Sequence, residues 1–376
     1  MKSLLLLIGC LPLIGFSQML SNTSTINISK IWDQEPNGRA YPIFVNVPQG
    51  DVPQGGFPIC ILLHGKGGNG AAMINQFQSK ITCHVLVAPS GYQNSWNISD
   101  EESEAPDIEM MEDLIDSIQM YENINPNQIR ILGISNGAGL ANRVFVENSD
   151  PGVDMVCAVV TQLSEAQYRN GNFYYPNGPT GGTDPYDGYN DIITPINGRK
   201  YLNICNDNDP IIPYLGGPGV GVNFLPAQEA IYIIAQSQGY LGSQISGSGT
   251  SLGSDVYEYS YMNDSVVHLK GHEGHSINLI QENYLNTFLK DCNNFSNLKE
   301  EIGEKWNIYP NPTNAKITIS ANITQPVPYE VISIAGQTLL RGKLNAHDKN
   351  IDLSHLAVDI YFLRIANQTI KITKLD

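Results

Sequence analysis

The fold is decided by one stretch of sequence, Ile129-Arg130-Ile131-Leu132-Gly133-Ile134-Ser135-Asn136-Gly137-Ala138-Gly139. It contains the pattern G-x-S-x-G directly after a strand-like run and directly before a helix-like run. A serine on such a sharp strand-to-helix turn exposes its hydroxyl, and the glycines on either side remove side chains that would clash there. The helix N-terminus favours negative charge that develops beside the serine. The stretch therefore predicts that Ser135 is a nucleophile.

Strand-like and helix-like segments alternate around this turn. The predicted strands cover residues 41–47, 58–63, 84–88, 128–133, 155–161, 200–205, 256–262 and 266–269. The predicted helices cover residues 108–118, the segment from about 136 onward, 226–237 and about 277–290. Repeated strand–helix units indicate a mainly parallel β-sheet covered by helices on both faces.

A serine hydroxyl needs a base, and the base needs an acid that orients it. Where a serine occupies this kind of turn, the acid and then the histidine follow it along the chain. His275 lies just past the last predicted strand and before a helix, so we expect it to be the base. His272 has a similar position and stays an alternative, whereas His268 lies within a strand. For the acid we expect Asp209, which follows a predicted strand, with Asp207 as the runner-up.

An ester carbonyl that is attacked by a serine develops negative charge on its oxygen, and two backbone N–H groups are needed to bind it. We expect one from Asn136, which follows the nucleophile. We expect the other from Lys66, in the turn His64-Gly65-Lys66-Gly67-Gly68 after an early strand. This chemistry requires no cofactor, and no Cys-x-x-Cys or His/Cys spacing suggests a metal.

These residues together resemble the polyhydroxybutyrate-depolymerase and feruloyl-esterase branch of the α/β-hydrolases over about residues 40–290. The matching motifs are Leu-Leu-His-Gly at 62–65, Ala-Pro-Ser-Gly-Tyr at 88–92 with Trp96 after it, Gly-Ile-Ser-Asn-Gly at 133–137, Asp-Pro-Ile-Ile-Pro-Tyr at 209–214 and Gly-His-Ser at 274–276. The resemblance implies that Ser135, Asp209 and His275 are the nucleophile, acid and base. Many members have His-Gly before the acid and Trp-Pro after the histidine, and this chain has neither. Both departures put the substrate in question rather than the triad.

The helix–strand pattern stops between Tyr168 and Asn190, where five aromatic residues lie among Gly, Pro and Asn. We expect a long surface loop here, close to the nucleophile because it follows the next strand along the chain. Its exposed tyrosines could stack on a substrate, or the loop could be packed down by its own aromatic residues. Trp96, Tyr174 and Tyr175 are the candidates for substrate contact.

The N-terminus carries one lysine, an apolar run from Leu4 to Ile14 and then small or polar residues. This pattern predicts a secretory signal peptide over residues 1–17, with a lipid-attachment site at Cys10 as the rival interpretation. The five cysteines that would remain are Cys60, Cys83, Cys157, Cys205 and Cys292. Because their number is odd, at least one is free or pairs between chains. Most of them lie in apolar runs and are expected to be buried.

Composition changes near residue 293, so we expect a hydrolase domain over residues 18–292, a linker over 293–302 and a small all-β, sandwich-like module over 303–376. The last 70 residues resemble the sorting domain of the type IX secretion system. The matching motifs are Tyr-Pro-Asn-Pro-Thr at 309–313, Ile-Ala-Gly at 334–336, Ile-Asp-Leu-Ser at 351–354 and Tyr-Phe-Leu-Arg-Ile at 361–365. The resemblance implies that the type IX machinery is a partner and that the protein is secreted or displayed on the cell surface.

The chain of 376 residues has 41% hydrophobic residues and a formal net charge of −16. This balance fits a soluble globular protein, and the absence of a Lys/Arg cluster argues against nucleic-acid binding. The leading hypothesis is a serine carboxylic-ester hydrolase acting through an acyl-enzyme on a polyester, a feruloylated or acetylated polysaccharide, or a related ester. A serine peptidase of the same fold and a non-catalytic surface binding protein are the alternatives.

Overall fold

The computed structural model describes residues 18–99, 101–177, 186–290, 307–320, 323, 327–333, 337–346, 348–365 and 368–375. The predicted signal peptide with Cys10, the linker, Cys292 and the Ile-Ala-Gly motif at 334–336 lie outside the described residues. The chain divides into two compact units, and the division falls between Phe295 and Ser296. Within the described residues, no helix is long and apolar enough to cross a membrane.

The first unit is built on a large twisted β-sheet. Its strands are β1 (Ser29–Trp32), β2 (Glu35–Ala40), β3 (Ile43–Asn46), β4 (Phe57–Leu63), β5 (Val85–Pro89), β6 (Ile124–Ile134), β7 (Val153–Val159), β8 (Tyr168–Arg169), β9 (Asn172–Pro176), β10 (Tyr189–Ile193), β11 (Lys200–Asn206), β12 (Gly217–Gly219), β13 (Val222–Phe224), β14 (Thr250–Gly253), β15 (Val256–Tyr261) and β16 (Val266–Gly271). Among the described residues, nine of these strands form one sheet in the order β14-β15-β16-β11-β7-β6-β4-β5-β3.

Six neighbouring strands of this sheet, from β16 to β5, are parallel, and the strands outside them are antiparallel to their neighbours. The chain passes from β4 to β5 on one side and then to β6 on the other side, so the strand order reverses at β4. Ligands of open α/β sheets bind beyond the carboxyl ends of the strands at such a reversal.

Helices cover both faces of the sheet, as the alternating pattern predicts. They are α1 (Gly70–Phe77), α2 (Asp107–Gln119), α3 (Asn136–Glu147), α4 (Ala227–Ser237) and α5 (Leu279–Leu289). Strand β4 is buried along its whole length, and its alternate residues enter two different cores. Ile59 and Ile61 pack in the core that contains α2, α3 and α4, whereas Cys60 and Leu62 pack with α1 and α5. The predicted sheet and its two helical layers are therefore confirmed.

The tyrosine-rich segment is not the long loop that the sequence predicted. Its strands β8, β9 and β10 form a small antiparallel sheet. The Arg169 guanidinium lies over the ring of Tyr174 at 3.7 Å and over the ring of Tyr186 at 3.9 Å. A cation between two aromatic faces stabilises the hairpin from within. The expectation failed because the strands are very short and a bulge near Tyr189 interrupts the alternation that would reveal them.

The described residues of the second unit form β-strands and the turns between them. Its strands are β17 (Asn307–Tyr309), β18 (Lys316–Ser320), β19 (Val327–Ser333), β20 (Thr338–Leu344), β21 (Asn350–Asp352), β22 (Asp359–Ile365) and β23 (Gln368–Lys374). They form a three-stranded sheet, β17-β18-β21, and a four-stranded sheet, β20-β19-β22-β23. Ile317 and Ile351 of the first sheet share a buried core with Val331 and Leu363 of the second. The predicted small all-β module is confirmed as a two-sheet sandwich.

The described cysteines differ in state. Cys60, Cys157 and Cys205 are free and buried, whereas Cys83 is disulfide-bonded. Cys83 was expected in a strand-like apolar run, but it is half-buried in a turn that precedes β5. The expectation that at least one cysteine would be free or pair between chains is confirmed by these three free thiols.

Candidate active site

Ser135 lies in the turn between β6 and α3, with φ 53° and ψ −118°. A side chain at position 133 would come within 2.1 Å of the Gly137 carbonyl oxygen, and one at 137 within 2.3 Å of the Leu63 carbonyl oxygen. Only glycine fits at both positions. A positive φ is costly for serine, so the turn stores strain that the surrounding packing must hold. This geometry is the one that exposes a nucleophilic hydroxyl at the edge of a sheet.

Three side chains meet at this edge in one hydrogen-bonded series. His275 Nε2 lies 2.8 Å from Ser135 Oγ, and His275 Nδ1 lies 2.7 Å from Asp209 Oδ2. Because a carboxylate only accepts hydrogen bonds, the proton belongs on Nδ1, which leaves Nε2 free to accept from the serine hydroxyl. Asp209 is almost fully buried, and its other oxygen accepts backbone N–H bonds from Ile211 and Ile212. The acid is therefore fixed in place, and it fixes the imidazole.

The alternative residues form separate contacts. His272 is exposed, and its Nδ1 lies 2.5 Å from Asp207, which also pairs with Lys270 at 2.9 Å. Burial alone would raise the pKa of Asp207, but its hydrogen bonds with Lys270 and His272 bring it below its ordinary value. His268 is fully buried. Desolvation there, with the positive charge of Lys270 adding to it, lowers its pKa to about 3. Neither His272 nor His268 contacts the serine.

The residues expected to supply the N–H donors border the same space. Lys66 follows β4, and Asn136 begins α3 directly after Ser135. In the part of the chain that the structure describes, neither backbone N–H is hydrogen-bonded to a protein acceptor. The next two N–H groups after Lys66 are paired, since the Gly67 N–H donates to the Asn94 carbonyl oxygen and the Gly68 N–H donates to the Gly65 carbonyl oxygen. Two unpaired donors beside a candidate nucleophile can bind an oxyanion.

Trp96 supports this region from behind. Its side chain is fully buried, its backbone N–H donates to Asn136 Oδ1 at 2.7 Å, and its indole Nε1–H donates to the carbonyl oxygen of His64 at 2.8 Å. The His64 ring in turn accepts a hydrogen bond from the Gly91 N–H. Trp96 was expected to contact substrate, but a fully buried indole cannot do so in this structure. It holds the backbone of the loop that contains Lys66.

A cavity of about 490 Å³ opens over Ser135 and His275. Its apolar lining residues are Ile98, Ala166, Tyr189, Ile211, Ile212, Val220, Val222 and Phe224, and its polar ones include Lys66, Ser99, Glu101, Thr161, Gln162 and Gln167. Neither Tyr174 nor Tyr175 is part of this lining, and their contact with substrate stays a prediction. Tyr174 is engaged by Arg169 instead. The tyrosine-rich segment reaches the cavity through Tyr189, whose hydroxyl donates to the Ile98 carbonyl oxygen at 2.6 Å.

One wall of the cavity was missed in the sequence. Strands β12 and β13 form a hairpin whose two-residue turn is Val220-Gly221, and both residues have positive φ, 46° and 81°. Valine is strained there, because this turn type favours Asn-Gly. Val220 is 68% exposed at the tip and lines the mouth of the cavity. The glycine-rich run at 216–221 was the available signal for a tight turn, but its position over the site depends on tertiary structure.

Glu101 adds a carboxyl group to the lining of the cavity. It accepts hydrogen bonds from the backbone N–H groups of Ile98 and Ser99 and from the side-chain amide of Asn136. Burial raises its pKa, although the N–H bonds from Ser99 and Ile98 oppose that rise. Among the described residues, no group of three or more His, Cys, Asp or Glu side chains could hold a metal ion.

The fold class follows from these positions. The loop of Lys66 follows β4, the serine follows β6, the aspartate follows β11 and the histidine follows β16, all at the carboxyl ends of parallel strands. This sheet, with a strained serine between a strand and a helix, is the α/β-hydrolase fold.

Comparison with solved structures gives distant likenesses. The chain is 12% identical to the carboxylesterase of Bacillus cereus over 66% of this chain and 93% of that one, with a TM-score of 0.42. It is 13% identical to a carboxylesterase from Mesorhizobium loti over 69% and 98%, with a TM-score of 0.40. It is 17% identical to the poly(3-hydroxybutyrate) depolymerase of Bordetella parapertussis over 49% and 66%, with a TM-score of 0.34. No curated protein matches the sequence. Likenesses this weak do not establish an activity.

One family model matches the second unit. Residues 307–375 match the model of the secretion system C-terminal sorting domain. This module indicates that the protein is secreted or carried on the cell surface, and it implies contact with the secretion machinery.

Proposed function

We propose that the protein is a serine carboxylic-ester hydrolase. The observation that carries the proposal is the hydrogen-bonded series Ser135–His275–Asp209, which borders the same cavity as two unpaired backbone N–H groups. A buried acid, an oriented base and a strained, exposed hydroxyl are what acyl transfer through a serine needs.

In the proposed reaction, Ser135 Oγ attacks the ester carbonyl while His275 Nε2 takes its proton. Asp209 stabilises the imidazolium that forms, and the N–H groups of Lys66 and Asn136 bind the carbonyl oxygen as it becomes negative. His275 then protonates the leaving alcohol, which leaves an acyl group on Ser135. Water, deprotonated by the same histidine, releases the acid and restores the serine.

The lining of the cavity favours an ester with an apolar part of moderate size. The wall formed by Ile211, Val220, Val222 and Phe224 offers aliphatic and aromatic contacts, whereas Glu101, Gln162 and Gln167 offer polar ones. A polyester and a feruloylated polysaccharide meet these conditions, and an acetylated polysaccharide has the smallest apolar part of the three.

The test is Ser135→Ala in the full chain, assayed on p-nitrophenyl esters, methyl ferulate, acetylated xylan and polyhydroxybutyrate. We expect kcat to fall by about three orders of magnitude or more while the melting temperature stays near wild type. A fluorophosphonate probe should label the wild type and not the variant. Activity on peptide amides rather than esters would favour a serine peptidase, and a wild type without labelling would favour a non-catalytic binding protein.

We further propose that residues 1–17 are a cleaved signal peptide, rather than a lipid attachment at Cys10, and that residues 303–376 direct export through the type IX machinery. Residues 18–292 would be the catalytic domain and 293–302 a linker. Deletion of 303–376 should retain the protein in the cell and leave kcat of the purified enzyme unchanged. Undiminished secretion of the deletion variant would contradict the export role.

A further inference from the structure

We infer that Asn206 is a positioning residue, which fixes the backbone on both sides of His275; the inference rests on the proposed function. Asn206 ends β11, and its side chain is fully buried. Its Nδ2 donates to the carbonyl oxygens of Gly274 at 2.8 Å and Ser276 at 2.6 Å. Those are the two residues that flank the histidine, so one amide group holds the carbonyl groups of both.

The orientation of this amide follows from its neighbours. The Asn278 backbone N–H can only donate, so Gln281 Oε1 must be the atom that accepts it at 3.0 Å. Gln281 Nε2 then donates to Asn206 Oδ1 at 3.0 Å. Asn206 Nδ2 therefore carries the two protons that face the carbonyl oxygens. A series of hydrogen bonds with fixed donors and acceptors therefore runs from the capping box of α5 to the loop that carries His275.

The neighbouring strand β16 has a glycine at the point where the two amides of this network pack. Gly271, at the end of β16, is the register partner of Asn206 on β11. A side chain at position 271 would lie 2.3 Å from Asn206 Oδ1 and 2.3 Å from Gln281 Nε2. The glycine is thus required by the two amides and not by an unusual backbone angle.

Position matters here because His275 lies in a loop between β16 and α5, and a loop does not hold an imidazole to within a few tenths of an ångström. Asp209 fixes the ring from one side, but it cannot fix the backbone that carries the ring. Asn206 does so. It is the last residue of β11, and Asp209 follows it three residues later. The end of β11 therefore positions both the histidine and the aspartate.

The experiment compares Asn206→Ala with a matched control. Gln238→Ala also removes a buried amide, which accepts the Arg199 N–H at 2.9 Å and donates to the Ile196 carbonyl oxygen at 3.1 Å. Arg199 precedes the first residue of β11, about 20 Å of strand from Asn206. Both variants lose buried hydrogen bonds, but only one loses them beside the histidine.

The measurement is kcat on p-nitrophenyl butyrate, divided by the number of active sites that a fluorophosphonate titrates to completion. This division removes any loss of folded protein. We expect Asn206→Ala to lower kcat per site by about 10- to 100-fold with KM little changed, and Gln238→Ala to leave it unchanged. Gln281→Ala keeps Asn206 but removes the hydrogen bond to its Oδ1. We expect this variant to lower kcat per site as well, by a smaller factor than Asn206→Ala.

A kcat per site within twofold of wild type in Asn206→Ala would overturn the inference, and if that variant does not fold, the same result in Gln281→Ala would overturn it. Failure of the proposed function gives a different result. In that case the wild type itself is not titrated, or Ser135→Ala keeps its activity.

Discussion

The side chain of Asn136 and the peptide backbone of Trp96 are joined by a reciprocal pair of hydrogen bonds. Asn136 Oδ1 accepts from the Trp96 N–H at 2.7 Å, and Asn136 Nδ2 donates to the Trp96 carbonyl oxygen at 3.1 Å. The residue that offers its own N–H to the proposed oxyanion thus also orients the loop that supports the second donor, because the Trp96 indole is bonded to the His64 carbonyl group. The two proposed oxyanion donors therefore share one hydrogen-bonded support.

Replacing the indole tests this coupling. Trp96→Phe removes the donor to His64 but keeps an aromatic ring, so we expect the backbone near Lys66 to shift. kcat on p-nitrophenyl acetate should fall about 10-fold while KM stays close to wild type. A raised KM with an unchanged kcat would instead mean that Trp96 contacts the substrate.

The two neighbouring histidines provide a matched pair of variants. His275→Ala should lower kcat by about three orders of magnitude or more, since it removes the base that the serine contacts. His272→Ala, three residues earlier on the same loop, removes only an exposed pair with Asp207, and activity should stay within a few-fold of wild type. Initial rates on one ester decide this, and a reversed result would reassign the base to His272.

The tip of the β12–β13 hairpin should influence chain-length preference. Val220→Asn places the favoured Asn-Gly pair in the turn, so we expect the melting temperature to hold or rise. The lost apolar contact should lower kcat/KM for p-nitrophenyl octanoate relative to acetate by about fivefold, from about 1 kcal/mol of burial.

Val52→Asn is the control for the hairpin, because Val52 is also partly exposed and is not part of the cavity lining. An unchanged octanoate-to-acetate ratio in Val220→Asn would show that the substrate does not reach the hairpin.

The buried His268 predicts a dependence of stability on pH. Its Nδ1 lies 2.8 Å from Asn203 Oδ1, and its Nε2 lies 2.9 Å from the Tyr214 hydroxyl, so both nitrogens are satisfied in the neutral ring. Its pKa is about 3 in the folded chain, against an ordinary value of 6.5. Between these values the unfolded chain binds a proton that the folded chain does not. The contribution of His268 to the free energy of unfolding is therefore full above pH 6.5.

As the pH falls from 6.5 towards 3, that contribution should be lost, by up to about 1.4 kcal/mol per pH unit. Urea unfolding of the wild type and of His268→Gln between pH 7 and pH 4 measures the difference. The variant should be less stable at pH 7 and should lose less stability on acidification. Parallel curves would mean that the pKa of His268 is not lowered in the folded chain.

The sequence predicts some parts of this site much better than others. The turn of Ser135 can be recognised in the sequence because both of its glycines are required locally. A side chain at position 133 would clash with the backbone of Gly137, and one at position 137 would clash with the backbone of Leu63 on the adjacent strand. Asp209 and His275 can be located from chain order, because each follows a strand of the parallel sheet. Those three residues are brought together in the structure, and their catalytic role stays a prediction.

The walls of the cavity could not be predicted in the same way. Val220 and Tyr189 reach it only through a hairpin and a small sheet that pack over the carboxyl edge, and no local periodicity encodes such packing. Tyr174 and Trp96 show the converse. Large aromatic residues near a site suggested substrate contact, but Tyr174 is stacked on Arg169 and Trp96 is fully buried, with its indole bonded to the His64 carbonyl group.

The three buried free cysteines have a consequence for the disulfide at Cys83. Thiol–disulfide exchange proceeds through the thiolate, and burial raises the pKa of Cys60 to about 12 and raises those of Cys157 and Cys205 far above the ordinary value. Once the sheet has formed, these sulfurs are neither ionised nor accessible to an oxidant. The disulfide at Cys83 is therefore safe from exchange with them, and the risk of mispairing is confined to the time before β4, β7 and β11 are packed.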